Sequence, residues 1–304
     1  MKTTLSLFTA LLSLSPSLLS AQPAAAGRPA PPPPMSISVE AGKAAASDFT
    51  DSASRQFKDI DVSQFGTSLA RNFAIDARTF MSLGLEYERF NLGVDERFVP
   101  LPEALQSISA KATIRRVVNE QWALLAILDV GFANADDPFD SGGFGLKASA
   151  LAMYRQSSTL TWGFGLIYRS LAKNDLRVLP AIGFDWRPNQ TWNVVVGFPR
   201  TAVIYILTEQ MKASFGVAAR GGTYYVKEPV GTAISSLPPV RDALLDYTEI
   251  RAGFGLEFRP TPAWELSTMA GMIVYQNLDY FERDYELEAD DPTPFVSLSA
   301  RYAF

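Results

Sequence analysis

The side chains that could do chemistry in this chain are carboxylates, lysines and arginines, because the sequence holds no histidine and no cysteine. Histidine is the usual base near neutral pH, so hydrolytic triads and dyads built on it are excluded. Histidine and cysteine are also the common transition-metal ligands. Carboxylate pairs could still cleave glycosides, but no pair stands out. We therefore expect no enzyme, no catalytic residue, no cofactor and no metal site.

The charged residues fall on alternate positions of apolar segments. Within 107–117, Ile108 and Ala110 alternate with Ser109 and Lys111. A period of two indicates a β-strand with one apolar and one polar face. Similar segments occupy 79–87, 122–132, 144–154, 160–168, 178–186, 248–258, 264–274 and 294–304.

The last of these segments ends the chain at Phe304. Its apolar face would hold Val296, Leu298, Ala300, Tyr302 and Phe304. This ending resembles the C-terminal signal that the Gram-negative barrel assembly machinery reads, so that machinery is an expected partner. The pattern predicts a strand with lipid on one side and a polar interior on the other.

Short turns and longer loops alternate along the chain, with long loops expected near 46–57, 91–104, 133–143, 227–244 and 277–292. This alternation puts both termini on one side and makes the strand number even. We predict an all-β fold, an antiparallel transmembrane β-barrel of about 14 strands over residues 35–304, with periplasmic N- and C-termini. The count falls to about 12 if Gly197–Arg200 only kinks one strand and 35–41 stays outside the wall.

The N-terminal segment predicts export to the outer membrane. Met1 and Lys2 precede an apolar run from Leu5 to Leu19, which is typical of a signal peptide, here assigned to residues 1–26. Residues 27–34 are rich in proline and predict a stiff linker. Outer-membrane lipids and lipopolysaccharide are then expected partners, and nucleic acid is not.

All five tryptophans lie near predicted short turns, so they would share one rim of the barrel. Tryptophan and tyrosine favour the membrane–water interface because a flat apolar ring there carries a polar group. The predicted aromatic belt comprises Trp122, Trp162, Trp186, Trp192, Trp264, Tyr302 and Phe304.

The face assigned to the interior carries both charge signs in nearly equal number. Its basic residues are Lys111, Arg115, Lys147, Arg169, Arg177, Arg220, Arg251 and Arg301, and its acidic residues are Glu86, Glu88, Asp129, Asp185, Glu249, Glu257 and Glu265. A slight basic excess would suit a pore for small anionic solutes, whereas close balance would suit a barrel braced by ion pairs. A loop at 227–245 could plug the lumen or stay exposed, and a soluble secreted β-rich binding protein is a third alternative.

One region of the sequence carries a family resemblance. The run from Gly197 to Tyr205, flanked by Trp192–Val196 and the strand at Phe215, resembles a family of Gram-negative outer-membrane β-barrels known only as a domain of unknown function. The resemblance implies a barrel over most of the mature chain and supplies no catalytic residue.

Overall fold

The computed structural model describes residues 33–94, 99–173, 176–231 and 240–304. The signal peptide predicted for residues 1–26 lies outside these ranges, as do most of the linker predicted for 27–34 and the centre of the loop at 227–245.

The described chain is almost entirely β-structure. Its strands are β1 Met35–Ala44, β2 Ser47–Asp51, β3 Gln56–Ala74, β4 Thr79–Gly93, β5 Ala104–Val117, β6 Trp122–Ala135, β7 Phe144–Arg155, β8 Leu160–Arg169, β9 Val178–Trp186, β10 Trp192–Val196, β11 Arg200–Ile206, β12 Met211–Val226, β13 Ala243–Thr261, β14 Trp264–Tyr280, β15 Tyr285–Ala289 and β16 Thr293–Ala303. Within the described ranges, no helix has the length and apolar character to cross a membrane.

The strands close into an antiparallel barrel of 14 strands, as predicted. The strand β1 pairs with β16 on one side and with β3 on the other, so it belongs to the wall. The strands β10 and β11 are separate and pair with each other from Trp192 to Val195. Gly197 opens the turn between them, and its carbonyl accepts a 3.1 Å hydrogen bond from the Thr201 hydroxyl. Both uncertain segments therefore form wall strands, which excludes the count of 12.

The first and last wall strands are each interrupted at the same level along the barrel axis. The strand β2 follows β1 after a gap at 45–46, and β15 precedes β16 across a gap at 290–292. The two short strands pair with each other, and they also pair with β3 and β14. The prediction of plain loops near 46–57 and 277–292 is therefore wrong, because each segment contains a paired strand.

The barrel has a short-turn rim, where β1 begins and β16 ends, and a long-loop end. The longest strands run furthest toward the long-loop end: β13 has 19 residues, whereas β10 has 5. Beyond the short strands, Asn134 of β6 pairs in parallel with Tyr225 of β12. At this level β6 neighbours β12 directly, and β7 to β11 do not lie between them. The barrel is therefore narrower at the long-loop end.

An apolar core, here called the cap core, fills the long-loop end. Phe49, Phe90, Leu245 and Tyr247 have no exposed surface, and the rings of Phe90 and Tyr247 meet edge-on at 5.0 Å. The buried Tyr280 hydroxyl donates a 2.8 Å hydrogen bond to the Pro100 carbonyl. Burial of each such side chain contributes about 1.5–3 kcal/mol. The cap core therefore ties the described strands and loops of this end together.

The outer face of the wall is apolar and exposed along the chain. Ile182 is 69% exposed and Phe254 is 70% exposed, although both lie in the middle of paired strands. A continuous surface of this kind is unfavourable in water and suits hydrocarbon. The period of two found in the sequence therefore separates an apolar outside from a polar inside.

One glycine is fixed by its backbone conformation. Gly221 has φ +123°, and a Cβ there would overlap the Tyr247 carbonyl oxygen of the paired strand. We predict that Gly221→Ala lowers the free energy of unfolding by about 2–3 kcal/mol. Gly66→Ala is the control, because its Cβ would come no closer than 3.8 Å to another atom. Urea midpoints in detergent would measure both, and equal midpoints would contradict the prediction.

Candidate functional site in the barrel interior

Contacts between strands that are not neighbours identify the inner face. Arg220 of β12 donates hydrogen bonds of 2.6 and 3.0 Å to Glu40 of β1, and another of 2.7 Å to Gln64 of β3. Neither β1 nor β3 pairs with β12. These side chains meet across the lumen, so alternate residues on these strands point inward.

A continuous polar network surrounds Arg220. Its guanidinium lies 3.6 Å from a Glu88 oxygen, and Arg251 donates a 3.0 Å hydrogen bond to the same Gln64 oxygen that Arg220 contacts. The fully buried Glu249 pairs with Arg251. We call this set the Arg220 network, and it comprises Glu40, Gln64, Glu88, Arg220, Glu249 and Arg251. Bidentate arginine–carboxylate pairs of this type hold their partners in fixed geometry.

A second group, here called the cationic row, follows the register across five strands. In order from β5 to the start of β9, its members are Lys111, Asp129, Lys147, Arg169 and Arg177. Lys111 contacts Glu86 at 2.8 Å, and Arg177 donates to the Ala172 carbonyl at 3.3 Å. The row therefore brings together five residues that the sequence assigned to the interior, and Glu86 beside them.

The remaining interior residues predicted from sequence lie toward the short-turn rim. Asp185 pairs with Arg187 at 3.0 Å, and Glu257 pairs with Lys212 at 2.7 Å. Glu265 pairs with Arg259 at 2.6 Å and sits opposite Arg301 in register. Arg115 lies on β5 opposite Leu125, and its Nε is buried without a hydrogen-bond partner in the described ranges.

Two members of the Arg220 network are absent from the set predicted from sequence. Glu40 lies in β1, where it alternates with outward Val39 and Ala41, so its inward position was available from the pattern. Gln64 is uncharged, so the charge pattern of the sequence does not mark it as a lumen residue. Its 4% exposure and its two arginine contacts make it a central acceptor.

The predicted aromatic belt residues all lie at the short-turn rim. Trp122 packs on Tyr154 at 4.8 Å, Trp192 on Tyr205 at 4.7 Å, and Trp264 on Tyr302 at 4.8 Å. The remaining tryptophans, Trp162 and Trp186, lie in register with Tyr154 and Leu160.

The start of β1 and the end of β16 meet at the same rim. The Met35 amide donates to the Phe304 carbonyl at 2.8 Å, and the Phe304 amide donates to Met35 at 2.9 Å. The predicted assembly signal is therefore paired with the first strand.

Acidic and basic loops meet at the long-loop end. Lys227 contacts Asp140 at 2.7 Å, and this ammonium lowers the pKa of the Asp140 carboxyl. Val230 and Val240, at the two described ends of the loop predicted as a plug, pair with each other and join the cap core. No three acidic residues in the described ranges are grouped so as to hold a metal ion.

A closed antiparallel barrel with an apolar outside and a charged interior defines the class of outer-membrane β-barrels. Residues 77–299 match the model of the family described as a domain of unknown function, DUF6268. The chain belongs to this family, which confirms the resemblance seen in the sequence.

Several solved structures are similar to this chain. An outer-membrane channel from Pseudomonas putida F1 is 10% identical, with 92% of this chain and 99% of that chain covered and a TM-score of 0.50. A FadL homologue from Pseudomonas aeruginosa is 13% identical over 89% and 90% of the two chains, with a TM-score of 0.44. The KdgM porin in complex with disordered oligogalacturonate is 6% identical over 88% and 99%, with a TM-score of 0.37. No curated protein matches the chain.

The Arg220 network predicts a stability effect. Replacement of Arg220 by Met would leave Glu40 and Glu88 without their cation, which costs free energy because partly buried carboxylates need a partner. Since Arg220 keeps 24% of its side-chain surface exposed, we expect a loss of about 2 kcal/mol. Lys43→Met is the control, because its pair with Asp61 is largely solvent-exposed and is worth about 0–1 kcal/mol. Urea unfolding in detergent measures both, and a loss no larger for Arg220→Met than for Lys43→Met would contradict the prediction.

Proposed function

We propose that this protein is a non-enzymatic outer-membrane channel with a charged lumen, and that the conformation described here is closed. The observation that carries the proposal is the combination of an exposed apolar wall, seen at Ile182 and Phe254, with charged side chains meeting inside. A buried lining of charges serves no purpose in a packed core, whereas it suits the passage of polar solutes. The barrels similar to this chain include an outer-membrane channel and a porin.

The same proposal gives the chain an orientation. A signal peptide at 1–26 would direct export, and the linker at 27–34 would lie in the periplasm beside the short-turn rim. The apolar face from Val296 to Phe304 would be read by the barrel assembly machinery. The aromatic residues of this rim would meet the inner headgroups, and the long-loop end would face lipopolysaccharide.

Two features would keep the channel closed. The cap core occupies the long-loop end, and the Arg220 network links β12 to β1, β3 and β4 across the lumen. Ions would find a low-resistance axial path only when both give way. Since ion-pair networks exchange partners more readily than an apolar core repacks, we place the adjustable barrier at Arg220.

The Arg220 network also favours a second candidate, a braced barrel that does not conduct. In that case the cross-lumen hydrogen bonds would be permanent supports of a wide wall. The soluble alternative is disfavoured by the apolar outer face, since a secreted protein would leave it in water. A heat-modifiable gel shift and retention in the detergent phase would separate a membrane barrel from a soluble protein.

Planar bilayers test the channel directly. We expect the natural protein to show rare, small conductance steps and Arg220→Met to show larger or more frequent ones, because the variant removes the cross-lumen contact. Lys43→Met is the control, because this exposed residue faces away from the lumen. Reversal potentials in a salt gradient would report ion preference. Absence of steps from both the natural protein and Arg220→Met, in samples with the heat-modifiable fold, would reject the channel in favour of the braced barrel.

A further inference from the structure

The side chains of two neighbouring residues in the cationic row have no hydrogen-bond partner in the described part of the chain. Lys147 of β7 and Arg169 of β8 are paired in register, so their side chains lie side by side. Arg169 is only 5% exposed, and its Nε is buried without an acceptor. No hydrogen bond or ion pair joins Lys147 to another described residue.

This pair differs from three other interior cations. Lys111, Lys212 and Arg220 each contact a carboxylate directly, at 2.8, 2.7 and 2.6 Å. A buried donor without an acceptor destabilises the folded state, and more so when it is charged. The buried Nε of Arg169 therefore carries an unmet demand for an acceptor, as do those of Arg115 and Arg251, and Lys147 lies beside Arg169 in register.

Nearby acids reduce this cost without supplying the acceptor. Asp129 lies beside Lys147 in register, and Asp246 lies within electrostatic range of Arg169. The Asp246 carboxylate already accepts from the Thr223 hydroxyl at 2.7 Å and from Thr248 at 3.4 Å. In the described ranges, neither carboxylate accepts a hydrogen bond from the side chain of Lys147 or Arg169.

The next row of inward positions is mostly apolar. Ile127, Ser149, Ile167 and Leu179 follow one another in register on β6 to β9, two residues from the row that holds Lys147 and Arg169. The three aliphatic side chains are at most 6% exposed. A ligand bound at the two cations would therefore rest against an apolar wall.

We propose that Lys147 and Arg169 form a binding subsite for the carboxylate of a solute with a short apolar body. The guanidinium would take the carboxylate in a forked pair, and the ammonium would supply a second charged donor. The apolar body would contact Ile127 and Ile167. This inference rests on the proposed function, since a solute reaches the subsite only through the lumen.

Calorimetric titration of the full chain in non-ionic detergent tests the subsite without relying on conductance. The probes are hexanoate, hexanamide and inorganic phosphate, with empty micelles as the blank. We expect saturable binding of hexanoate, none of the neutral hexanamide, and weaker binding of phosphate, which lacks the apolar body. Arg169→Gln and Lys147→Gln should each weaken hexanoate binding at least about tenfold, and Arg169→Lys by less. Lys43→Gln, which removes an equal charge from the exposed surface, should leave it unchanged.

The outcomes separate the two proposals. Absence of saturable hexanoate binding, or equal binding by the natural protein and Arg169→Gln, would overturn the subsite even if the protein conducts. Phosphate binding as tight as that of hexanoate would overturn the apolar part of the site. Hexanoate binding that depends on Lys147 and Arg169, in a protein that never conducts, would uphold the subsite and reject the channel. If Arg169→Gln lacks the heat-modifiable fold, hexanoate binding by Arg169→Lys tests the subsite instead. That variant keeps the positive charge and loses only the forked pair of guanidinium donors.

Discussion

The whole molecule depends on the backbone pairing that closes β1 between β16 and β3. In hydrocarbon an unpaired amide or carbonyl costs several kcal/mol, so a barrel wall is stable only without an open edge. The two hydrogen bonds exchanged by Met35 and Phe304 complete that ladder at the rim. Closure also fixes the faces, because a slip of one residue would turn Phe254 inward and Glu249 toward lipid.

Much of the wall could be predicted from the sequence, because each wall strand has one apolar and one polar side. The strand Val178–Trp186 has the predicted bounds, and the inward positions of Lys111 and Asp129 share one register row. The face of the strand on which a residue lies depends only on its position in that strand. The register between two strands of a hairpin depends almost as locally on the turn that joins them. The count of 14 could be predicted because each wall strand shows this alternation, provided that β1 and the two strands β10 and β11 are counted in the wall.

The long-loop end could not be predicted, because both faces of its strands are covered. From Leu245 to Glu249 every residue of β13 is buried, so the period of two is lost where the strand enters the cap core. The Arg220 network was also beyond the sequence, since Glu40 and Gln64 approach from strands that pairing separates from β12. Periodicity assigns a side chain to the interior, but it does not say which residue stands opposite.

Because of the parallel contact between Asn134 and Tyr225, the barrel has a smaller circumference at the long-loop end than at the short-turn rim. At the rim the wall has 14 strands, but above β7 to β11 it consists of β2, β3, β4, β5, β6, β12, β13, β14 and β15, which is nine. A closed ring with an odd number of strands cannot be antiparallel at every pair. Among the described strands, the one parallel pair is β6 with β12, because both strands run toward the long-loop end. Because barrel diameter grows with strand number, the neck is roughly two-thirds as wide as the rim. The five shorter strands form a shoulder beside it, and two of them carry Lys147 and Arg169.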